Sequence, residues 1–179
     1  MRFFFSMTIA LGMCLSAYSQ SSRSSDEAAD HTFLKNAAQG GMAEVQLGQL
    51  AEKNGSNAAV KQFGQRMVTD HTRMGDEVKS LAATKNVTLP ATLNSKDQAL
   101  YKSLSAKTGS DFDRAYISAM VKDHNHDIAD FQQEANSGND PDIKSLAARA
   151  RPTLQEHLRL AEDAARQLGM TTSTGPGMR

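Results

Sequence analysis

Apolar residues recur at alternating steps of three and four positions along four segments of this chain, which is the spacing of helices that bury one face. In the second segment this inner stripe runs from Val60 to Leu81 and includes His71. Asn54-Gly55 is a helix-ending sequence between the first two segments. The pattern predicts an all-α chain with four long helices, at about residues 24–53, 57–86, 111–136 and 140–168.

A long connection, residues 87–110, separates the second and third predicted helices. Leu89-Pro90 cannot continue the second helix, and Ser95-x-x-Gln98 predicts the start of a short helix inside the connection. A connection of this length can return along the whole bundle. One long crossover between the second and third helices is the topology of ferritin-like four-helix bundles, which is the fold we expect.

The first residues have the features of an export signal. A positive residue precedes the apolar stretch Phe3–Ala17, which is too short to span a bilayer. Ala17-Tyr18-Ser19 resembles a signal-peptidase site, so residues 1–19 are predicted to be a signal peptide and the protein to be periplasmic or secreted. Lipidation at Cys14 is the alternative, and the bulky Met13 before that cysteine disfavours it.

The mature chain divides by composition into three parts. Residues 20–27 begin with a serine-rich run and are predicted to be a flexible leader, residues 28–170 form the bundle, and residues 171–179 are predicted to be a disordered tail. Signal cleavage removes Cys14, the only cysteine, and with it any disulfide or thiolate ligand. No later segment is apolar enough to serve as a transmembrane anchor.

The balance of charges excludes nucleic acid as a partner. Lys plus Arg and Asp plus Glu each number 20, so the formal net charge is +0 and there is no basic field to hold nucleic acid. Aromatic residues make up 6% of the chain and Trp is absent, which favours helices packed through small side chains. The partners we expect are another copy of this chain or a protein of the cell envelope.

Three of the five histidines fall on the inner stripes of three different predicted helices. They are His71, His124 and His157, and Glu44 lies on the inner stripe of the first helix. Counted from the helix ends at ~1.5 Å per residue, all four positions lie near the middle of the bundle. Imidazoles and a carboxylate that converge there are ligands suited to one Zn, Cu, Ni or Fe ion. Asp70 and Asp123 each precede one of these histidines and are predicted to support the ligands by hydrogen bonds, or to be surface charges.

A metal-free interpretation of the same residues is open. Buried polar groups can specify how helices pack, with Glu44 hydrogen-bonded to two histidines and no metal. A di-iron ferroxidase site is disfavoured, because such bundles carry a Glu three residues before each metal-binding His. In this chain those positions hold Val68, Val121 and Leu154.

Several motifs together resemble the bacterial family of domain of unknown function 4142. Met-Val-x-Asp-His occurs at residues 67–71 and again at 120–124, the second time after the Phe112-Asp113-Arg114-Ala115-Tyr116 lead-in. Leu89-Pro90, and Asp140-Pro141 before Leu154-x-x-His157, belong to the same resemblance, which covers about residues 28–168. The resemblance implies a ferritin-like fold and an exported location. It implies no established activity and therefore no catalytic residues.

The sequence therefore supports two hypotheses about function. The first is an exported ferritin-like bundle that binds a single transition-metal ion through its core His/Glu cluster. The alternative is a metal-free structural or interaction protein of the cell envelope. Enzymatic activity is disfavoured, because the sequence contains no acid–base pair or substrate-binding motif.

Overall fold

Five α-helices make up most of the computed structural model, which describes the backbone of residues 14–171 and the side chains of residues 27–171. Within that part of the chain there is no β-strand, and the all-α prediction is confirmed. No helix of the described part is long and apolar enough to cross a membrane. The helices are α1 Cys14–Asn54, α2 Ala58–Thr84, α3 Ser95–Ser105, α4 Gly109–Ser137 and α5 Pro141–Gln167.

Helix boundaries follow the capping residues of the sequence. Asn57, Asn94 and Asp140 each accept a hydrogen bond from a backbone N–H in the first turn of α2, α3 and α5. The first helix differs from the prediction, because α1 begins at Cys14 instead of Ser24 and includes residues 20–27. No glycine or proline interrupts residues 14–30, so nothing in the local sequence ends the helix there. Residues 1–13 of the predicted signal peptide and 172–179 of the predicted tail lie outside the described residues.

The four long helices form a closed ring of contacts. Both α1 and α5 pack against α2 and against α4. The connection from α2 to α4 lies along α1, where Gln39 Nε2 donates to the Thr92 carbonyl (3.2 Å) and Asn54 Nδ2 to the Lys107 carbonyl (2.9 Å). The chain therefore returns from the middle of α1 to its C-terminal end before α4 begins.

Two buried carboxylates tie the two helical hairpins together, one at each end of the bundle. Asp113 in α4 accepts hydrogen bonds from Ser56 Oγ (2.6 Å) and the Asn57 amide (2.9 Å) in the α1–α2 turn. Asp30 in α1 accepts from the amides of Asn139 (3.0 Å) and Asp140 (2.6 Å) in the α4–α5 turn. The backbone amides of these turns have no acceptor within a helix, so each carboxylate supplies the acceptor that they need.

The core has an apolar part at each end and a polar layer between them. In α1, Leu34 packs in one apolar cluster and Leu47 in another, with Glu44 between them in the sequence. The same order holds in α2, where His71 separates Met67 from Val78. His124 and His157 interrupt the stripes of α4 and α5 in the same way. The polar residues therefore share one level of the bundle.

Helices α1 and α2 approach each other closely at two facing glycines, Gly48 and Gly64. A Cβ atom added at Gly64 would lie 2.7 Å from Ala51 Cβ and 2.8 Å from the Gly48 carbonyl oxygen, whereas one added at Gly75 would meet nothing within 4 Å. A Cβ at Gly40 would also meet nothing within 4 Å, so the two helices do not approach as closely there.

We expect Gly64→Ala to destabilise the protein by about 1–3 kcal/mol, because the added methyl group forces α1 and α2 apart. Gly75→Ala is the matched control in the same helix. It should stabilise the protein by up to about 1 kcal/mol, because alanine is the better helix former. Urea unfolding followed by circular dichroism measures both values. Equal stability of the two variants would show that the helices do not touch at Gly64.

Near the end of α4, the side chain of Glu134 is buried beside the Asp30 carboxylate. Burial and then the Asp30 carboxylate raise the pKa of Glu134 from 4.5 to about 7. Such a group binds its proton more tightly in the folded chain than in the unfolded chain. Its contribution to stability is therefore complete below pH 4.5 and is lost as the pH rises through about 7.

The variant Glu134→Gln should lose this part of the pH dependence, because the amide imitates the protonated acid at every pH. Its melting temperature should exceed that of the native chain at about pH 8, by about 2–4 °C for each kcal/mol gained, and approach it at about pH 5. Glu52→Gln, at an exposed position of α1, is the control. Parallel pH curves for native chain and Glu134→Gln would contradict the assignment.

Candidate metal centre

Glu44, His71, His124 and His157 converge in the polar layer, one from each long helix. Their exposed fractions are 1%, 3%, 0% and 0%. The imidazole ring centroids lie 5.2 to 6.0 Å apart. One nitrogen from each histidine lies within 4.8 Å of the corresponding nitrogens of the other two. The structure thus brings together the residues that the helical spacing placed at one height.

Each histidine has one ring nitrogen held by an oxygen that can only accept a hydrogen bond. His71 Nδ1 lies 2.9 Å from Glu44 Oε2, His124 Nδ1 lies 3.0 Å from the Met120 carbonyl, and His157 Nε2 lies 2.9 Å from Asp70 Oδ2. A carbonyl and an ionised carboxylate donate nothing, so these three nitrogens carry the protons. In neutral rings the opposite nitrogens, His71 Nε2, His124 Nε2 and His157 Nδ1, carry lone pairs.

Two of these nitrogens face each other at short range, and the third is buried near them. His124 Nε2 and His157 Nδ1 are 3.3 Å apart, although neither carries a proton in the neutral state. His71 Nε2 is buried and has no hydrogen-bond partner among the described residues. Facing lone pairs in a buried site repel unless a proton or a cation lies between them. The arrangement therefore has the electrostatics of a cation site.

Asp70 supports a histidine, but not its sequence neighbour. It accepts the hydrogen bond of His157 in α5 and is itself held by the Arg66 guanidinium one helical turn away. Burial would raise the pKa of the Asp70 carboxyl, but the hydrogen bonds from Arg66 and His157 outweigh burial and lower the pKa. Asp70 therefore stays ionised and keeps the proton of His157 on Nε2.

The electrostatics of the layer centre on Glu44. Burial alone would raise the pKa of its carboxyl, but His71 and His124 outweigh burial and lower the pKa to about 2. Burial would lower the pKa of the His71 imidazole, and the neighbouring carboxylate of Glu44 raises it on balance. Burial lowers the pKa of the His157 imidazole to about 4, in spite of its hydrogen bond to Asp70. Glu44 thus carries a permanent negative charge in the layer, and His157 stays a neutral imidazole.

Asp123 belongs to a second group of acidic residues. Glu44, Asp123 and Asp127 each offer a carboxylate oxygen within 4.8 Å of the other two. The inner stripes of the sequence do not include Asp127. Its spacing is the signal that indicates it, because residues four apart on one helix, such as Asp123 and Asp127, share a face. Burial, then the charges of Glu44 and Asp123, raise the pKa of the Asp127 carboxyl to about 9.

A cavity of about 840 Å³ borders both groups of residues. Its lining includes Glu44, Asp123 and Asp127, together with His71 from the imidazole group. Its other walls mix polar and apolar side chains and include Phe33 and Phe131, which pack edge to face with centroids 4.9 Å apart. The buried centre is thus reached from the cavity on the side of Glu44.

Comparisons with known proteins identify a sequence family and a fold. The sequence profile of a family described as domain of unknown function (DUF4142) matches residues 16–164. A search of curated proteins found no match. A DUF305 protein from Streptomyces coelicolor has a similar structure, with a TM-score of 0.69, 12% identity, and coverage of 82% of this chain and 96% of that chain. A DUF305 fragment from Deinococcus radiodurans has a TM-score of 0.68 at 13% identity, covering 79% and 95%. At these identities the likeness concerns the fold alone.

Proposed function

We propose that this chain, which belongs to the family of domain of unknown function 4142, binds a single transition-metal ion in its core. The ligands are His71 Nε2, His124 Nε2 and His157 Nδ1. Glu44 holds His71 through Oε2, and its Oε1, which lies 3.4 Å from His124 Nε2, supplies the fourth ligand. Zn, Cu, Ni and Fe are the ions that favour imidazole nitrogen.

One observation carries the proposal. Each of the three core histidines donates one ring N–H to a protein oxygen and leaves the other ring nitrogen with a free lone pair. Metal-bound histidines donate the other ring N–H to a carboxylate or a carbonyl, which sets the tautomer and the ring orientation. His71, His124 and His157 all do so. Two ligands ~2.0–2.1 Å from a tetrahedral ion lie ~3.3 Å apart, and His124 Nε2 and His157 Nδ1 are separated by 3.3 Å.

The cellular setting that we propose is the periplasm or the exterior of the cell. The apolar stretch Phe3–Ala17 and the site Ala17-Tyr18-Ser19 support cleavage of residues 1–19. The similar protein from Streptomyces coelicolor is described, provisionally, as secreted. A ferritin-like bundle is the architecture that we propose for the mature chain, on the basis of four long helices and one crossover along α1.

The alternative is a metal-free envelope protein in which the same residues only specify packing. The 2.9 Å contact between Glu44 and His71 favours it, because a buried ion pair of this kind persists without metal. The two functions differ in one measurable property. A structural cluster leaves the melting temperature unchanged when metal is added, whereas a metal site raises it.

Zinc added to chelator-treated protein should therefore stabilise the native chain, by about 2.7 kcal/mol when free zinc is 100 times the dissociation constant. His71→Ala should abolish this gain, because it removes one ligand. His126→Ala is the control, since the His126 side chain is 65% exposed and lies outside the cluster. Differential scanning calorimetry with and without zinc measures the effect. The proposal fails if zinc leaves the native chain unchanged, or if both variants respond alike.

A further variant, Asp70→Asn, tests the support of His157. We expect zinc affinity to fall about 10- to 100-fold, because the histidine loses the charged acceptor that keeps its proton on Nε2. Asp76→Asn is the matched control in the same helix, since Asp76 is exposed and pairs only with Lys79. Isothermal titration gives both dissociation constants. An unchanged constant for Asp70→Asn would place His157 outside the metal site.

A further inference from the structure

The acidic group of Glu44, Asp123 and Asp127 lies beside the histidines but has different chemistry. Its three carboxylate oxygens lie within 4.8 Å of one another, on α1 and on one face of α4. Hard cations such as Mn²⁺, Mg²⁺ and Ca²⁺ prefer oxygen ligands of this kind, whereas imidazole suits Zn, Cu and Ni. The two neighbouring donor sets therefore select different ions.

The shared member of the two groups has an unpaired oxygen. Glu44 is 1% exposed, and its Oε1 has no hydrogen-bond partner among the described residues. A buried carboxylate oxygen without a donor is costly, and it can accept two interactions because it has two lone pairs. Oε1 can therefore contact an ion on the imidazole side and a second ion on the side of Asp123 and Asp127.

The charges around Asp123 and Asp127 are mainly negative, which favours a bound cation. Lys96 is the positive residue that acts on both, and Glu44 opposes it at each position. Asp130 adds a further negative charge at Asp127. Three carboxylates close together in a half-buried site repel one another unless protons or a cation neutralise them. A divalent ion would offset this repulsion directly.

We infer that Glu44, Asp123 and Asp127 bind a hard divalent cation, with Mn²⁺ as the probe, at a second site adjacent to the three histidines. All three carboxylates line the cavity of about 840 Å³, whereas His124 and His157 are fully buried behind it. An ion that enters from the cavity meets the carboxylates and His71 before it reaches His124 and His157. The second site shares Glu44 with the first but does not require that the histidines bind metal.

The test is Mn²⁺ binding to the full mature chain, measured by the loss of the free-ion signal in electron paramagnetic resonance. The native chain should bind one Mn²⁺, and Asp127→Asn should bind it about tenfold more weakly or worse, because an amide cannot release a proton to become an anionic ligand. The control is Asp130→Asn, which lines the same cavity but is 49% exposed and paired with His126. Its affinity should stay within about threefold of native.

Stability measurements keep this test independent of folding defects. Without added metal, Asp127→Asn should melt at or above the temperature of the native chain, because the substitution removes a repelled carboxyl. Asp123→Asn is the second variant and should lose Mn²⁺ in the same way. The inference is overturned if the native chain binds no Mn²⁺, or if Asp127→Asn and Asp123→Asn both bind it as well as native.

Two further variants separate this site from the proposed zinc site. His157→Gln should lose zinc and keep Mn²⁺, whereas Asp127→Asn should keep zinc and lose Mn²⁺. Loss of Mn²⁺ in His157→Gln alone would place that ion on the histidines and overturn the second site. Mn²⁺ binding in a native chain that fails to bind zinc would support the second site and remove the proposed function.

Discussion

A carboxylate in the middle of a helical bundle has to be neutralised by groups that other helices bring to it. Glu44 is such a carboxylate, and leaving it without partners would cost several kcal/mol. His71 meets one of its oxygens, and His124 approaches the other. These contacts require that α1, α2 and α4 place their polar residues at one level, so the relative heights of the helices depend on this layer.

The apolar parts of the core then follow on either side. Leu47, Met67 and Met120 pack on the side of the α1–α2 turn, and Leu34, Val78 and Ile143 pack towards the other end. Asp113 and Asp30 hold the two hairpins together at the two ends. Sliding one hairpin past the other by a turn would break the polar layer and both end contacts at once, which favours a single alignment of the four helices.

The polar layer has the donors for two kinds of cation. His124 and His157 occupy the closed side, where water has no access to them, and His71 borders the cavity. Carboxylate oxygens occupy the side of the cavity, with Glu44 between the two sets. From the buried histidines to the carboxylates at the cavity, the donor atoms become harder and more accessible to solvent. This gradient over a short distance is the main chemical feature of the polar layer.

The sequence by itself determined the helices and the residues that face inward. Apolar spacing and capping residues such as Asn57 and Asp140 act within one helix, so they can be recognised without the fold. The spacing also placed Glu44 and the three histidines at one height. Helix length is a property of local sequence, and height along a bundle follows from it.

Only the tertiary structure decided which residues meet across helices. Asp70 pairs with His157 instead of the histidine next to it, Asp127 joins Glu44, and α1 approaches α2 closely at Gly64. Periodicity identifies the face of a helix, but a contact also depends on the rotation and separation of two helices. Those quantities are set by packing of the whole core, which no single segment of sequence contains.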